Sequence, residues 1–434
     1  MAPLKVGIAG VGTVGAALIA QIAKQREVLA ARCGRGIDVV AVCARSKGKD
    51  RGVDLKKMKW FADPVALAKE PGIDVFVELM GGADGPAKAA VEAALASGKS
   101  VVTANKALLA KHGVKLAALA EKHSAALNFE AAVGAAIPIV KTLREALTGN
   151  SIERIYGILN GTCNYILTRM EQEKMSFAEC LKQAQQLGYA EADPAFDIEG
   201  HDTAQKLAIL ASLAFGTKAD QRAIYVEGIS SIAAADLLAA DELGYRVKLL
   251  GVAMKTPQGI EQRVHPTMVR KDSSIAQVMG VTNAVTIDAE GINPITLVGP
   301  GAGGAETASA VLSDIADIAR GVKTAPFGRP TAKLKDVRKA PMQRHEGGYY
   351  IRFQARDKPG TAATIATRLA EQEISLESIV QRHLKGADES KNGSVPVILI
   401  TYATSEDAVR KALAAVGRDR VISGRPQVIR IEKN

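Results

Sequence analysis

Cysteine is scarce in this chain. Its 434 residues hold four, Cys33, Cys43, Cys163 and Cys180, and no two form a C-x-x-C pair. The familiar zinc and dithiol spacings are therefore excluded, and so few cysteines in a long chain fit a reducing compartment, the cytoplasm. Aromatic residues make up only 4% of the chain, with one Trp, which argues against stacking platforms for single-stranded nucleic acid. No apolar run reaches membrane-spanning length. The first residues lack a basic segment followed by an apolar core and a cleavage site. Of the six histidines, His112, His123, His201, His265, His345 and His383, none sits in a recognisable catalytic motif. Neither nucleic acid nor membrane is expected as a partner.

What is present is the composition of an ordinary globular protein, 47% apolar and 24% charged. The length predicts two to four domains. The net charge of +10 favours anionic partners without choosing among them. The sequence LKVGIA (4–9) reads as a buried strand. Gly10, Gly12 and Gly15 follow as G-x-G-x-x-G, a helix starts near Thr13, and DVVAVC (38–43) reads as a second strand. That strand–turn–helix–strand order is the context in which three such glycines bind a dinucleotide. Gly10 permits the tight turn, Gly12 lets the backbone approach a pyrophosphate, and Gly15 allows close helix packing. Thr13 and Val14 then begin a helix whose N-terminus faces the phosphates. The second strand ends in Ala44 and Arg45 rather than in the acid that an NAD site usually carries there. A guanidinium suits a 2′-phosphate, so Arg45 points to NADP, with NAD as the other possibility. The lysines that follow read as a solvated loop.

Strands and helices keep alternating through LNFEA (127–131), which implies a mostly parallel sheet. Thr103, Asn105, Lys106 and Glu130 fall at the carboxyl ends of strands, where functional residues gather. A helix is expected over 138–147, a strand over 152–160, and another helix from about Tyr165. The stretch from Gly188 to Lys206 carries Glu191, Asp193, Asp197, Glu199 and Asp202, and closes with one cation. Leu207, Leu210 and Leu213 recur beyond it at helical spacing, so Asp202 and Lys206 face the same way on one turn. By itself this is also what an acidic loop and an ordinary helix ion pair look like. A strand is expected near 225–229, then a helix through Leu249. A second glycine-rich turn, GPGAGG (299–304), opens a further helix. Residues 329–348, rich in Lys, Arg and Pro, read as a linker. The tail reads βαββαβ.

Taken in order, VELMGG, TANK, FEAAVGAAIPI, GILNGTCNYIL, GYAEADPAFDIEGHDTAQKL and GPGAGG, with the opening glycines, resemble homoserine dehydrogenase. The tail resembles an ACT domain. The resemblance covers essentially the whole chain. It implies an α/β Rossmann-type nucleotide-binding domain (1–135), to which the helix within 299–320 could return. It also implies an α+β catalytic and dimerisation domain (136–328) and an ACT-like regulatory domain (349–434). The implied reaction is the interconversion of L-homoserine and L-aspartate 4-semialdehyde by hydride transfer to a pyridine nucleotide. Glu191 and Asp202, with Asp197 nearby, would hold the substrate. Lys206 would be the acid/base, with Lys106 as second candidate and cofactor neighbour. Thr103, Gly188 and Gly303 would approach the cofactor. Glu130 and the carbonyls of Val133, Ala135 and Ile137 would bind a monovalent cation such as sodium. The ACT-like tail implies threonine as effector, bound near Asp357–Gly360, and a homodimer or homotetramer.

Two other readings compete. Cys163 lies between a strand and a helix, where a thiolate nucleophile of the aspartate-semialdehyde dehydrogenase type could be activated, with His201 as its only plausible partner. A nucleotide-sensing regulatory protein would use the tail as a ligand receiver and leave Lys206 without a purpose.

Overall fold

The structure is a computed structural model, and it describes residues 1–342, 345–381 and 394–432. His383 and parts of the expected linker and ACT-like tail lie outside the described residues. Six short strands form the first sheet: β1 (Leu4–Ala9), β2 (Ile37–Cys43), β3 (Lys59–Phe61), β4 (Val75–Glu78), β5 (Ser100–Thr103) and β6 (Leu127–Asn128). Their order is β3-β2-β1-β4-β5-β6, and every pairing is parallel. Strands buried on both faces read as unbroken apolar runs, which is why LKVGIA was legible. The chain reverses its direction of travel across the sheet between β1 and β4. In open parallel sheets this switch point is where ligands bind.

The Thr13–Lys24 helix covers one face of this sheet. Helix Gly304–Ala319 packs beside it, its Ala308, Val311 and Ile315 joining Ile8, Leu18 and Val42 in one apolar cluster. The expected strand over 127–131 stops at Asn128. A 3-10 turn, Glu130–Ala132, follows it, because the Glu130 backbone N–H donates to buried Asp314 at 2.8 Å instead of continuing the ladder.

The rest of the strands are β7 (Ile152–Ile158), β8 (Tyr225–Val226), β9 (Tyr245–Thr256), β10 (Gly259–Arg270), β11 (Thr282–Ala289), β12 (Ile295–Pro300), β13 (Glu346–Arg356), β14 (Leu376–Gln381), β15 (Ser394–Thr401), β16 (Thr404–Ser405) and β17 (Ile422–Ile431). They belong to one mixed sheet whose main path is β12-β11-β7-β9-β10-β17-β13-β15-β14. The helix expected to run through Leu249 is corrected here. It covers only Ala234–Glu242. Gly244, at φ +81°, ends it, and Leu249 lies on β9, paired with Pro266 of β10 in a long hairpin.

The βαββαβ tail is joined edge to edge to this sheet. Strand β10 pairs with β17 through Thr267–Arg430 and Met268–Ile431. Buried ions reinforce the seam. Asp236 takes a bidentate pair from Arg352, at 2.6 and 2.9 Å. Glu432 accepts from Arg263 and, at 3.1 Å, from Arg154.

Candidate active site

The glycine-rich turn has the shape that its sequence requires. Gly10 sits at φ +103°, and a side chain there would strike the Leu79 carbonyl. A side chain at Gly15 would strike the Gly10 carbonyl, so the helix can lie this close to the strand only on glycine. A Cβ at Gly12 would meet nothing within 4 Å. It faces open space at the helix start, the room that a pyrophosphate would take. The residues present therefore fit a dinucleotide.

Beyond this turn lies a cleft of about 690 Å³. Thr13 and Val14 form its first wall, and Pro300–Gly304 form the next. Asn160–Thr162, Gly188, Tyr189, Asp197, Asp202, Lys206 and Lys106 also line it. Lys106 reaches the cleft because β5 ends at Thr103 and Asn105 caps the following helix, its side chain accepting from the Leu108 N–H at 3.0 Å. Thr103 is turned inward. Its hydroxyl donates to buried Glu78 at 2.7 Å, and Glu78 also accepts from the Met80 and Gly81 N–H groups. Thr103 thus braces the strand ends rather than lining the cleft.

Asp202 is the centre of the charge arrangement. Lys206 donates to its Oδ2 at 2.8 Å, and Lys106 approaches Oδ1 at 3.1 Å. Asn160 adds a bond to Oδ2 at 2.9 Å and another to Asp197 at 2.8 Å. Burial pushes the Asp202 carboxyl up, but the two ammonium groups outweigh it and hold the pKa down at about 2. Asp197 moves the other way, raised by burial and by the charge of Asp202. The lysines are not equivalent. Lys206 also donates to the Leu159 carbonyl at 2.7 Å and its side chain is 10% exposed, whereas that of Lys106 is 35% exposed.

The remaining expected residues are distributed as follows. Glu191 is exposed, outside the cleft lining, and among the described residues only its backbone carbonyl is held, by Gln185 at 3.0 Å. Gly303, at φ +129°, caps the helix that the second glycine turn opens. Arg45 is exposed at the end of β2 and makes no hydrogen bond or ion pair among the described residues. Arg51, one of its basic neighbours, is committed to the fold. It donates to the Val11 carbonyl at 2.9 Å and lies over Trp60.

Both oxygens of Glu130 accept backbone N–H groups, from Val140 and Lys141, at 2.8 Å. Burial and nearby Asp314 push its pKa up to about 7. Val133, Ala135 and Ile137 are buried, and Ala135 holds a left-handed φ of +47°. The Ile137 carbonyl accepts from Ile139 at 2.8 Å, but no backbone N–H among the described residues donates to those of Val133 and Ala135. Among the described residues no group of three or more His, Cys, Asp or Glu side chains could hold a metal.

Cys163 does not match the thiolate reading. It is fully buried, its Sγ donates to the Asp197 carbonyl at 3.3 Å, and burial with three nearby acids raises its pKa well above the usual thiol range. His201 is exposed and faces Phe196.

Sequence comparison gives the same assignment independently. Residues 138–316 match the homoserine dehydrogenase family model. Residues 10–130 match the homoserine dehydrogenase NAD-binding domain, and 349–418 match the ACT domain. A homoserine dehydrogenase of Pseudomonas aeruginosa is 43% identical, with all of both chains covered. One from Neisseria gonorrhoeae is 43% identical over 96% of this chain and 95% of that one. This chain belongs to the homoserine dehydrogenase family. The crystal structure of a homoserine dehydrogenase from Thiobacillus denitrificans superposes with a TM-score of 0.93, at 40% identity, covering 99% of this chain and 98% of that one. A hyperthermophilic archaeal homoserine dehydrogenase solved in complex with NADPH gives 0.63 at 28% identity, covering 78% of this chain and all of the other. The chain is therefore an NAD(P)-dependent oxidoreductase of amino-acid biosynthesis with an ACT regulatory domain. Among the described residues no helix is long and apolar enough to cross a membrane.

Sequence reasoning missed Asn160. It reads as a strand residue in IYGILN, yet its side chain caps the next helix and binds both cleft aspartates. The usable signal was N-G-T immediately before a helix, a recognised start pattern.

Proposed function

We propose that this enzyme interconverts L-homoserine and L-aspartate 4-semialdehyde with NADP preferred over NAD, in threonine, methionine and isoleucine biosynthesis in the cytoplasm. The observation that carries the reading is Asp202 held between Lys106 and Lys206, in the cleft that Thr13 and Val14 also line. When bound, the nucleotide supplies a hydride acceptor. The protein must then orient the hydroxyl carbon and take up the hydroxyl proton. Lys206 is the proposed acid/base, fixed by Leu159 and Asp202. Lys106 is the second candidate, and its greater exposure favours it as the group that first meets the hydroxyl. Asp202, Asp197 and Glu191 are the proposed holders of the substrate ammonium, Glu191 only after the loop beginning at Gly188 turns inward.

Arg45 is the proposed 2′-phosphate ligand, being uncommitted at the ribose end of β2. Its preference over NAD is supported by the NADPH bound to the archaeal relative. Sodium is proposed at Glu130, Val133, Ala135 and Ile137, since the buried Val133 and Ala135 carbonyls take no backbone N–H among the described residues, and free carbonyl oxygens with a carboxylate suit a hard monovalent ion. Threonine is proposed as effector at the exposed turn Asp357–Gly360. A homodimer or homotetramer is supported by exposed apolar residues on both edge strands, Val298 of β12 and Ile379 of β14.

A steady-state absorbance assay with homoserine and each nucleotide tests the main reading. The expected result is a higher kcat/KM with NADP, lost selectively in Arg45→Ala. Equal values for both nucleotides would remove the preference, and no turnover with either would remove the substrate. Lys206→Ala and Lys106→Ala should each lower kcat by about 100-fold or more if their side-chain amine, in its neutral form, takes up the proton. Near-normal turnover in either variant strikes that lysine from the role. Activity unchanged by added threonine would remove the feedback claim.

A further inference from the structure

Strand β9 carries an anomaly. Val247, Leu249 and Ala253 face one apolar cluster, and Leu250 and Val252 face the other. Period-2 alternation puts residue 248 with Leu250 and Val252, where an apolar side chain would fit. The residue is Lys248, 1% exposed, with no carboxylate in ion-pair contact among the described residues. Glu171, the nearest candidate, is bonded to Arg246 at 2.9 Å instead. Burying an unpaired ammonium is costly, and burial lowers the Lys248 pKa to about 8, with Glu171 and Arg246 exerting opposed smaller effects.

The cation is spent on one loop. Lys248 donates to the Val278 carbonyl at 2.6 Å and to the Asn164 side chain at 3.0 Å. Asn164 in turn donates to the carbonyls of Val278 and Thr282, at 3.2 and 3.1 Å. Thr168 accepts from the Gly280 N–H at 3.1 Å. Three buried polar side chains thus fasten both ends and the middle of residues 278–282. The tip of that loop is Val281, 40% exposed and part of the cleft wall. Its carbonyl lies so close to Gly161 that a Cβ there would stand 2.6 Å away. The loop then enters β11, where Thr282 pairs with Pro300 and Asn283 with Gly299, and Asn283 lies against Gly301 of the second glycine turn. The loop therefore sets two stretches of the cleft wall, Val281 and Pro300–Gly303.

We propose that Lys248 is a positioning residue for nucleotide binding: from within the sheet it clamps the 278–282 loop, and through β11 and β12 it fixes the glycine turn that faces the cofactor. Lys248 touches no reacting group. Asp202, Lys106 and Lys206 stand on other elements and make no hydrogen bond or ion pair with it among the described residues. Lys248→Met should therefore raise KM for the nucleotide, by about tenfold for a lost charge-assisted bond, while kcat at saturation changes far less. Thr168→Val removes another tether of the same loop without removing a charge, and keeps the test informative where Lys248→Met fails to fold. It should raise the same KM in the same direction. Both variants are measured in the full-length enzyme with homoserine saturating, alongside melting temperature. A raised nucleotide KM with kcat largely kept supports the proposal. A lower melting temperature and lower kcat with an unchanged nucleotide KM, in whichever variant folds, means that Lys248 only stabilises the sheet and overturns it.

Discussion

The side chain around which the site is built is Asp202, and its protonation can be followed. Its carboxyl is held at about 2 in the folded protein, against about 3.9 in an unfolded chain. A depressed acid contributes stability that is fully present above the unfolded value and lost as pH falls through the folded one. The shift is worth about 3 kcal/mol. Asp202→Asn should therefore destabilise the enzyme near neutral pH, and the gap from wild type should narrow as pH falls from about 5 to about 3. Denaturant titrations at both ends of that range check this, and a gap constant with pH would mean the ion pairs are not the source. Cys163 gives a sharper contrast. With its thiol buried against the Asp197 carbonyl, Cys163→Ser should keep kcat within about threefold, whereas loss of a true nucleophile costs many orders of magnitude. Lys206 and Asp202 were legible because helical spacing joins residues four apart. The Lys106–Asp202 contact was not, since it spans two domains and no local pattern encodes it. The same holds for Thr103, which was expected to approach the cofactor and whose hydroxyl is bound to Glu78 on a neighbouring strand.

Elements were readable where one rule dominates. Apolar runs gave the first sheet except its edge strand β3, which follows a basic loop, and glycines gave its turns. The readings failed where tertiary contacts compete. Asn160 lies just beyond β7 and starts the Gly161–Glu173 helix because its side chain accepts from the Cys163 N–H at 2.8 Å. Losing such a cap costs about 1 kcal/mol. Asn160→Ala also removes a hydrogen bond from each cleft aspartate, so it should lower the melting temperature and reduce kcat together. A variant with normal kcat would show that Asn160 is only a cap. The start of β9, as far as Leu249, reads as helix because VKLLGVAM has no simple alternation: both faces of it are buried, which erases the polar side that would have marked the period.

At the scale of the molecule, the ACT segment is part of the catalytic sheet rather than an appendage. The β10–β17 seam covers two residue pairs, too few to hold a domain by backbone alone. Asp236–Arg352 and Arg263–Glu432 carry the junction. Removing one member of a buried pair costs about 3–5 kcal/mol, so Arg352→Ala should lower the unfolding midpoint strongly, and calorimetry should show these two parts melting in one transition. Two separated transitions in the wild type would contradict this. The tail's βαββαβ order was plain in the sequence, but its union with β10 was not, because strand neighbours far apart in the chain leave no local signature. The central claim is that the cleft around Asp202 performs homoserine oxidation on a nucleotide seated at the Gly10–Gly15 turn. Its most direct test is Asp202→Asn, with homoserine-dependent nucleotide reduction and NADPH binding measured on the same preparation. The account predicts kcat lower by about 100-fold or more with the Kd for NADPH within about threefold of wild type. A kcat close to wild type would contradict it.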